Sequence, residues 1–183
     1  DLEYCANDDN GYDLRDYVSL DNATFDTDSR GLEGVLFYPE TAGEGIHFID
    51  VTVLQNGCTV TETMEIAVIR PTQVTTLDDE VIVCAGDQVQ LSASGSVSYV
   101  WEPSVGISDP NIYNPIVTGS VDRIYTVYGT DINGCVTSTT VEVTVNDEEV
   151  VAGGDVTICY GDEIQLSASG VDYYNWDYPE TLS

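Results

Sequence analysis

The feature that most constrains the fold of this chain is an internal repeat. Residues 84–95 read CAGDQVQLSASG and residues 159–170 read CYGDEIQLSASG, so 9 of 12 positions are identical at a sequence offset of 75 (159 − 84). The motif Asn-Gly-Cys also occurs twice, ending at Cys58 and at Cys135, an offset of 77 (135 − 58). Two motifs that recur at one shared period are typical of repeated structural units.

The period divides the chain into three predicted units, at residues 1–72, 76–147 and 152–183. The stretches between them, Arg70-Pro71-Thr72 and Asn146–Glu149, are short. Short connections favour a semi-rigid string of domains over freely swinging ones. The third unit reaches its last residue before an Asn-Gly-Cys motif of its own, so we expect the sequence to be a segment of a longer protein.

Each complete unit is predicted to consist of short β-strands. In the second unit, the strand-like runs are residues 80–83, 88–93, 99–101, 123–130 and 136–145, separated by turn residues. Asn56-Gly57 and Asn133-Gly134 each predict a type I′ hairpin turn, because both residue types tolerate positive φ. No stretch has the sustained apolar period of a helix. We therefore predict an all-β fold of tandem immunoglobulin-like β-sandwich domains.

The charge of the chain disfavours several classes of partner. Acidic residues number 33 and basic residues 4, all of them arginine, which gives a formal net charge of −29. Such a charge repels nucleic-acid phosphates and anionic lipid surfaces. No apolar run approaches the roughly 20 residues that span a bilayer. We expect neither a nucleic-acid partner nor direct membrane insertion.

The five cysteines are predicted to form two disulfides, one inside each complete unit. The offset between Cys5 and Cys58 is 53 (58 − 5), and that between Cys84 and Cys135 is 51 (135 − 84). Cys159 opens the third unit, and its expected partner falls beyond the sequence. A staple of this kind would stabilise such a small domain by about 4 kcal/mol in the chain-entropy model. The alternatives are metal ligation, for which the cysteines are too scattered, and free buried thiols, which leave the paired spacing unexplained.

The sequence favours no catalytic site, and we predict that the chain is not an enzyme. Ser-His-Asp and Cys-His mechanisms need a histidine base, and the only histidine is His47. No G-x-S-x-G nucleophile elbow is present. We expect His47 to be a strand residue with a structural hydrogen bond.

An acidic loop near the start of the chain is the candidate calcium site. Asp8, Asp9, Asn10 and Asp13 surround Gly11, and calcium binds six to eight hard oxygen ligands of this kind. The spacing departs from the EF-hand pattern, which needs carboxylates at its first and twelfth positions. Calcium is thus the one cofactor the sequence suggests, and a solvated acidic turn is the alternative reading of the same residues.

A tryptophan follows the first cysteine of each repeat copy by seventeen residues, at Trp101 and at Trp176. Because a core tryptophan against the disulfide is typical of immunoglobulin sandwiches, we predict that both are core residues. The alternative is a sugar-stacking platform shared with neighbouring tyrosines, namely Tyr99, Tyr173, Tyr174 and Tyr178.

The order of these motifs resembles PKD-like and immunoglobulin-like repeats of large surface proteins of the Bacteroidota, often exported by the type IX pathway. The resemblance rests on C-x-G-(D/E)-x-(V/I)-x-L-x-A-S-G, then Tyr-x-Trp, then Tyr-Thr-Val at Tyr125, then (D)-x-N-G-C. The first unit resembles a sister variety through F-x-P-x-x-A-G-x-G-x-H at residues 37–47. The resemblance implies extracellular β-sandwich beads and carries over no catalytic residue.

We therefore predict a structural, adhesive repeat segment of a large extracellular surface protein or filament. Its expected partners are neighbouring repeats of the same chain or other copies in a surface assembly. One alternative is a binding module for glycans or cell-surface proteins. Another is a set of accessory repeats of a secreted multidomain hydrolase.

Overall fold

The computed structural model describes residues 2–19, 22–26 and 30–177. Its strands fall into an N-terminal module (residues 2–69), a central module (residues 75–146) and a C-terminal segment (residues 150–177). The N-terminal module contains β1 (Leu2–Cys5), β2 (Tyr12–Asp13), β3 (Thr24–Phe25), β4 (Leu32–Glu33), β5 (Leu36–Phe37), β6 (Gly45–Gln55) and β7 (Cys58–Ile69), with a 3-10 turn at Leu14–Tyr17 and a short helix α1 at Pro39–Ala42. The central module contains β8 (Thr75–Thr76), β9 (Glu80–Cys84), β10 (Gln88–Gln90), β11 (Ala93–Ser94), β12 (Ser98–Glu102), β13 (Ile116–Thr118), β14 (Arg123–Thr130) and β15 (Val136–Asn146), and the C-terminal segment contains β16 (Val151–Ala152) and β17 (Ala168–Ser169).

Two sheets face each other in the N-terminal module. One has the order β1-β7-β6-β3 and the other the order β2-β5-β4. The long β6–β7 hairpin pairs from Gly45↔Val68 to Gln55↔Cys58, and alternate side chains of both strands point inward. The side chains between the two sheets form one buried cluster: Leu14, Phe25, Leu32, Phe37, Ala42, Ile49, Val51, Ile66 and Val68.

The central module repeats this arrangement around a separate core. Its main sheet has the order β12-β14-β15-β9, and the opposite layer consists of the pairs β10-β13 and β11-β8. The buried cluster between the layers is Val74, Val83, Leu91, Ala93, Trp101, Val117, Tyr125, Val127, Val141 and Val143. The predicted all-β, immunoglobulin-like sandwich fold is confirmed, whereas the predicted domain boundaries stay a prediction.

The strands predicted for the central module are confirmed, except that one predicted strand is divided into two. The predicted run 88–93 forms two strands, β10 and β11, because the chain changes partner within it. β10 pairs with β13, whereas β11 pairs with β8 in the other strand pair of this layer. Leu91 is buried where the chain crosses between the two pairs.

The two Asn-Gly turns differ. Asn56 has a φ of 53° and Gly57 a φ of 82° between the paired residues Gln55 and Cys58, so the predicted two-residue turn is confirmed there. In the central module the innermost hairpin pair is Thr130↔Val136, which leaves a five-residue loop in between. The prediction of a type I′ turn at Asn133-Gly134 is therefore wrong, because the loop is organised by another residue, described below.

In both modules, the strand that carries the opening cysteine pairs parallel to the last strand. β1 runs beside β7 and ends at Cys5↔Ile69. β9 runs beside β15 and ends at Cys84↔Asn146. Each opening cysteine therefore lies at the C-terminal end of the last strand, whereas the Asn-Gly-Cys turn lies at its N-terminal end.

This topology makes the predicted disulfide Cys5–Cys58 wrong. Cys58 begins β7, and Cys5 lies beside Ile69, eleven residues further along the same strand (69 − 58). At roughly 3.3 Å per residue the two cysteines are about 36 Å apart. A disulfide requires Cα atoms within about 7 Å of each other.

The predicted disulfide Cys84–Cys135 is wrong for the same reason. Cys84 lies beside Asn146, eleven residues after Cys135 (146 − 135). Cys5 is bonded to Cys135 instead. The remaining cysteines, Cys58, Cys84 and Cys159, are exposed thiols.

Little of the C-terminal segment is packed. Its strand pair β16–β17 contains only two residue pairs, Val151↔Ser169 and Ala152↔Ala168. Residues 178–183 of the third predicted unit lie outside the described residues. Within the part of the chain that the structure describes, no helix is long and apolar enough to cross a membrane.

Candidate functional site

The candidate functional site is the joint between the two modules. We define the joint as residues 5–7, residues 69–74 and residues 131–137, which come from the end of β1, the connection between the modules and the β14–β15 loop. These three segments meet because the Asn-Gly-Cys loop of the central module lies at the end of that module nearest β1 and β7.

A disulfide crosses the joint. The Cys5 and Cys135 sulfur atoms are 2.08 Å apart, with a Cα–Cα distance of 5.6 Å and a sequence separation of 130 residues. Cys135 is 1% exposed, so the bond is sealed on the side of the central module. The modules are thus connected by two covalent routes, the peptide chain through Arg70-Pro71-Thr72 and this bond.

Hydrogen bonds reinforce the disulfide from the N-terminal module. The Asn7 side-chain amide donates to the Val136 carbonyl oxygen at 2.8 Å. One residue earlier, the Ala6 backbone N–H donates to the Ile69 carbonyl oxygen at 2.8 Å. The two residues after Cys5 therefore make one hydrogen bond within the N-terminal module and one to the central module.

Asp131 organises the other side of the joint. Its Oδ2 accepts a hydrogen bond from the Thr72 backbone N–H at 2.9 Å. Its Oδ1 accepts from the backbone N–H groups of Asn133, at 2.9 Å, and Cys135, at 3.0 Å. Asp131 is 4% exposed, and these donors, with Thr72 first, hold the pKa of its carboxyl below the ordinary value.

Asp131 belongs to the motif (D)-x-N-G-C, but no role was predicted for it. The available signal was the difference between the two copies, since the first Asn-Gly-Cys has Leu54 at this position. An aspartate side chain commonly holds a loop in place by accepting a hydrogen bond from the backbone N–H two residues later.

The connection between the modules is fastened along its length. The Thr137 hydroxyl donates to the Thr72 carbonyl oxygen at 2.9 Å and accepts from the Val74 N–H at 2.9 Å. Pro71 is buried. Because Thr72 and Val74 are hydrogen-bonded to Asp131 and Thr137, this part of the connection is held against the central module.

Gly95 lets the connection approach the central module closely. A Cβ atom at this position would lie 2.3 Å from the Gln73 carbonyl oxygen, and the residue has a φ of +95°. Both the space and the conformation require glycine. This gives a structural role to the last residue of the repeated run LSASG.

At the outer edge of the joint, Arg70 pairs with Glu44. The Arg70 Nη2 donates to the Glu44 Oε1 at 2.6 Å, and Nε donates to the other carboxylate oxygen. The guanidinium lowers the pKa of Glu44. Both side chains are largely exposed, so this pair contributes little to stability.

The acidic loop of the candidate calcium site is folded onto the N-terminal module through its own side chains. Asp8 accepts hydrogen bonds from the Asn10 backbone N–H at 3.0 Å and from the Tyr12 hydroxyl. The bond to Asp8 raises the pKa of Tyr12 to about 12. Asp13 is paired with Arg15, whose hydrogen bonds lower the pKa of Asp13 to about 2.

The structure thus gives structural partners to Asp8 and Asp13. Within the described residues, no three His, Cys, Asp or Glu side chains are gathered into a metal-ligating group. Calcium binding at Asp8, Asp9, Asn10 and Asp13 stays a prediction.

His47 lies in β6 and is half-buried. Its Nε2 is 2.8 Å from the Gly43 carbonyl oxygen, and its ring is 5.8 Å from that of Phe37, centroid to centroid. The expectation of a strand histidine with a structural hydrogen bond is confirmed.

The two tryptophans have different surroundings. Trp101 is 1% exposed in the central core, and its indole N–H donates to the Ile112 carbonyl oxygen at 2.9 Å. The prediction that it is a core residue is confirmed, but its cluster contains no cysteine. Trp176 is 39% exposed, and its prediction as a core residue is wrong for the described segment, because β16 and β17 provide no sheet to cover it.

No family model and no curated protein matches this chain. Among solved structures, a chimeric titin Z1Z2-Z1Z2 tandem is 18% identical, with 68% of this chain and 83% of that chain covered and a TM-score of 0.31. Drosophila N-cadherin EC1-4 is 12% identical, covering 92% of this chain and 56% of that chain, with a TM-score of 0.30.

A third solved structure is Bacteroides ovatus SGBP-B in complex with a mixed-linkage heptasaccharide. It is 16% identical, with 78% of this chain and 42% of that chain covered and a TM-score of 0.25. Alignments at TM-scores this low carry no functional argument. The functional case therefore rests on the joint.

Proposed function

We propose that this chain is a structural, adhesive segment of an extracellular surface protein, in which immunoglobulin-like units are held at a set orientation to their neighbours. The observation that carries the proposal is the Cys5–Cys135 disulfide across the joint. Contacts between domains of one chain are ordinarily small and permit relative motion. A covalent bond between modules is a device for suppressing that motion.

The other contacts of the joint support the same role. Asp131 accepts a hydrogen bond from the backbone of the connection, Thr137 donates one to it, and Asn7 donates one to the backbone of the opposite module. A disulfide inside one module would stabilise that module alone. A disulfide between modules also shares tensile force with the connecting peptide, which suits a protein that projects from a surface and is under tension.

A structural disulfide supports an extracellular location, since such bonds persist in oxidising compartments. A net charge of −29 favours a solvated exterior over contact with nucleic acid. We further propose that the chain belongs with the PKD-like repeats of type IX-secreted surface proteins of the Bacteroidota, and that it has no enzymatic activity. Its partners would then be adjacent repeats and molecules met at the cell surface.

Immunogold electron microscopy of intact cells tests the proposal, with an antibody raised against residues 76–147 and cells lacking the gene as the control. Label along surface fibres or projections is the expected result. Antigen found in the culture supernatant, with none on the cells, would contradict it. That outcome would favour accessory repeats of a secreted hydrolase.

A binding module is the second candidate, and one observation favours it. The outer face of β6 exposes Ile46, Phe48 and Leu54, at 58%, 61% and 60% of their surface. Exposed apolar side chains along one sheet face are typical of a contact surface. Labelled chain should then bind intact cells or a polysaccharide array, and Ile46→Ser/Leu54→Ser should abolish that binding; a wild-type chain that binds neither would exclude this candidate.

A further inference from the structure

Cys84 occupies the same structural position in the central module that Cys5 occupies in the N-terminal module. Each is the last residue of a strand that pairs parallel to the final strand of its module. The residue after each cysteine donates its backbone N–H to the carbonyl oxygen of the last residue of the final strand. These bonds run from Ala6 to Ile69 and from Ala85 to Asn146, each at 2.8 Å.

The turn that follows is also the same. The Asp8 N–H donates to the Cys5 carbonyl oxygen at 3.0 Å, and the Asp87 N–H donates to the Cys84 carbonyl oxygen at 3.0 Å. The difference is in the thiols, because Cys5 is bonded across the joint and Cys84 is exposed.

The C-terminal segment closely approaches the connecting peptide that precedes it, as the central module closely approaches the connecting peptide that precedes it. A Cβ on Gly170 would lie 2.0 Å from the Glu149 carbonyl oxygen, as one on Gly95 would lie 2.3 Å from that of Gln73. The β16–β17 pair is the counterpart of the β8–β11 pair, because β16, like β8, follows directly after a connecting segment.

A tyrosine contact repeats as well. The Tyr99 hydroxyl accepts from the Ser96 N–H at 3.1 Å, and the Tyr174 hydroxyl accepts from the Val171 N–H at 3.0 Å. Tyr174 and Val171 each follow their counterparts at the repeat offset of 75 (174 − 99 and 171 − 96). The local structure beside the second connection therefore matches that beside the first connection at these contacts.

We propose that Cys84 is the anchoring cysteine of a second joint and forms a disulfide with the cysteine of an Asp-x-Asn-Gly-Cys loop in the unit that begins at β16. The disulfides of this protein would then form a series, each linking the opening cysteine of one unit to the loop cysteine of the next. This inference rests on the multi-unit architecture of the proposed function and deepens it.

The bond forms by thiol–disulfide exchange with a disulfide donor, either a protein thiol oxidase or a small-molecule disulfide. The Cys84 thiolate attacks the donor disulfide and releases one donor thiol, which leaves a mixed disulfide. The loop cysteine thiolate then displaces the second donor thiol. The two protein thiols lose two electrons and two protons, and the donor disulfide gains them.

The second joint differs from the first in one contact. Asn7, whose amide bonds across the first joint, is replaced by Gly86. A glycine has no side chain to donate, so the second joint would depend on its disulfide more than the first does.

Peptide mapping of the protein isolated from the cells that make it tests the inference. Cleavage after glutamate and arginine, which leaves the Glu102-Pro103 bond intact, places the five cysteines on five peptides, covering residues 4–15, 45–62, 81–123, 124–142 and 150–163. Without reduction, peptide 81–123 should be found joined to a peptide that contains Asn-Gly-Cys and is none of these five. A free Cys84, or Cys84 joined to Cys58 or Cys159, would overturn the inference.

A designed extension gives a second test. Residues 109–147 are appended after Ser183, which completes the third unit at the repeat offset of 75 (183 − 108). The expected result is complete loss of Cys84 alkylation in the extended chain, while Cys84 in the original chain stays fully alkylated. In a matched extension whose added copy of Cys135 is replaced by serine, alkylation of Cys84 should return; an extended chain with Cys84 still alkylated would contradict the inference.

The two proposals fail separately. Surface label with an unbonded Cys84 would leave the proposed function standing and remove the series of disulfides. A bonded Cys84 in a protein found only in the culture supernatant would do the reverse.

Discussion

The sulfur of Cys5 is bonded to that of Cys135, although 130 residues of sequence separate them, and their Cα atoms lie 5.6 Å apart. The two cysteines lie in different modules, each with its own hydrophobic core, one built from residues 14–68 and one from residues 74–143. The bond therefore governs how the two modules are oriented more than whether either one folds.

Removing this bond should loosen the joint and leave both modules folded. In Cys5→Ser/Cys135→Ser, we expect a broader range of inter-module orientations, measured as an altered small-angle X-ray scattering profile with a larger radius of gyration. The chain-entropy model gives an upper bound of about 5 kcal/mol for the lost constraint on the unfolded chain. Cys58→Ser, which removes an exposed thiol, is the control; scattering profiles that coincide for the double variant and the wild type would contradict the role of the bond.

Gly95→Ala should destabilise the central module more than Gly86→Ala. Both glycines have positive φ, +95° and +85°, but only at Gly95 would a Cβ meet a backbone oxygen, that of Gln73. Each substitution carries the conformational cost of about 1–2 kcal/mol, and the clash should add about 1–3 kcal/mol at Gly95. Urea denaturation measures the difference, and equal free energies of unfolding for the two variants would refute the close approach.

Asp131 should make the stability of the joint depend on pH. The Thr72 N–H and the loop donors hold its folded-state pKa below the ordinary value of 3.8. The carboxylate form is thus favoured by folding, so its contribution is present above about pH 3.8 and is lost as the pH falls through the lower folded-state pKa.

The measurement for Asp131 is the urea midpoint of the wild type and of Asp131→Asn between about pH 7 and pH 2.5. The variant should be less stable at neutral pH, and the difference should shrink on acidification. Asp109→Asn is the matched control, because Asp109 accepts a hydrogen bond from the N–H two residues later, in Asn111, within an exposed loop. A wild-type advantage that is constant with pH would contradict the assignment.

Trp101→Ala should cost the central module about 3–5 kcal/mol, since it removes a buried indole from the core and leaves a cavity. Val100→Ala on the same strand is the control. Val100 is 45% exposed on the outer face, so its truncation should cost no more than about 0.5 kcal/mol. Equilibrium urea unfolding followed by far-UV circular dichroism measures both, and comparable losses would mean that the inward face of β12 is misassigned.

Much of the central module could be predicted from the sequence, because the information is local. Val141 and Val143 alternate with polar residues and are buried, and the predicted strand 123–130 is β14. Trp101 could be placed in the core from its repeated position. The strand inferences need only the two-residue period of a strand, and the placement of Trp101 needs only the repeat.

The pairing of the cysteines could not be predicted this way. Their near-equal separations fit bonds within units and bonds between units equally well, and bonds within units were predicted because each small domain was expected to need a staple of its own. The role of Asp131 was missed for a related reason, because its partner Thr72 is 59 residues away and the motif around Asp131 does not show which segment the loop contacts.

The sequence by itself determined the repeat, the strands, the inward faces and the presence of one opening and one loop cysteine in each complete unit. Only the tertiary structure decided which cysteines meet. The reason is the direction of the strand pairing: because β1 runs parallel to β7 and β9 runs parallel to β15, the two cysteines of a unit lie at opposite ends of its last strand. Strand direction depends on contacts between distant segments, and these bring the end of one module against the loop of the next.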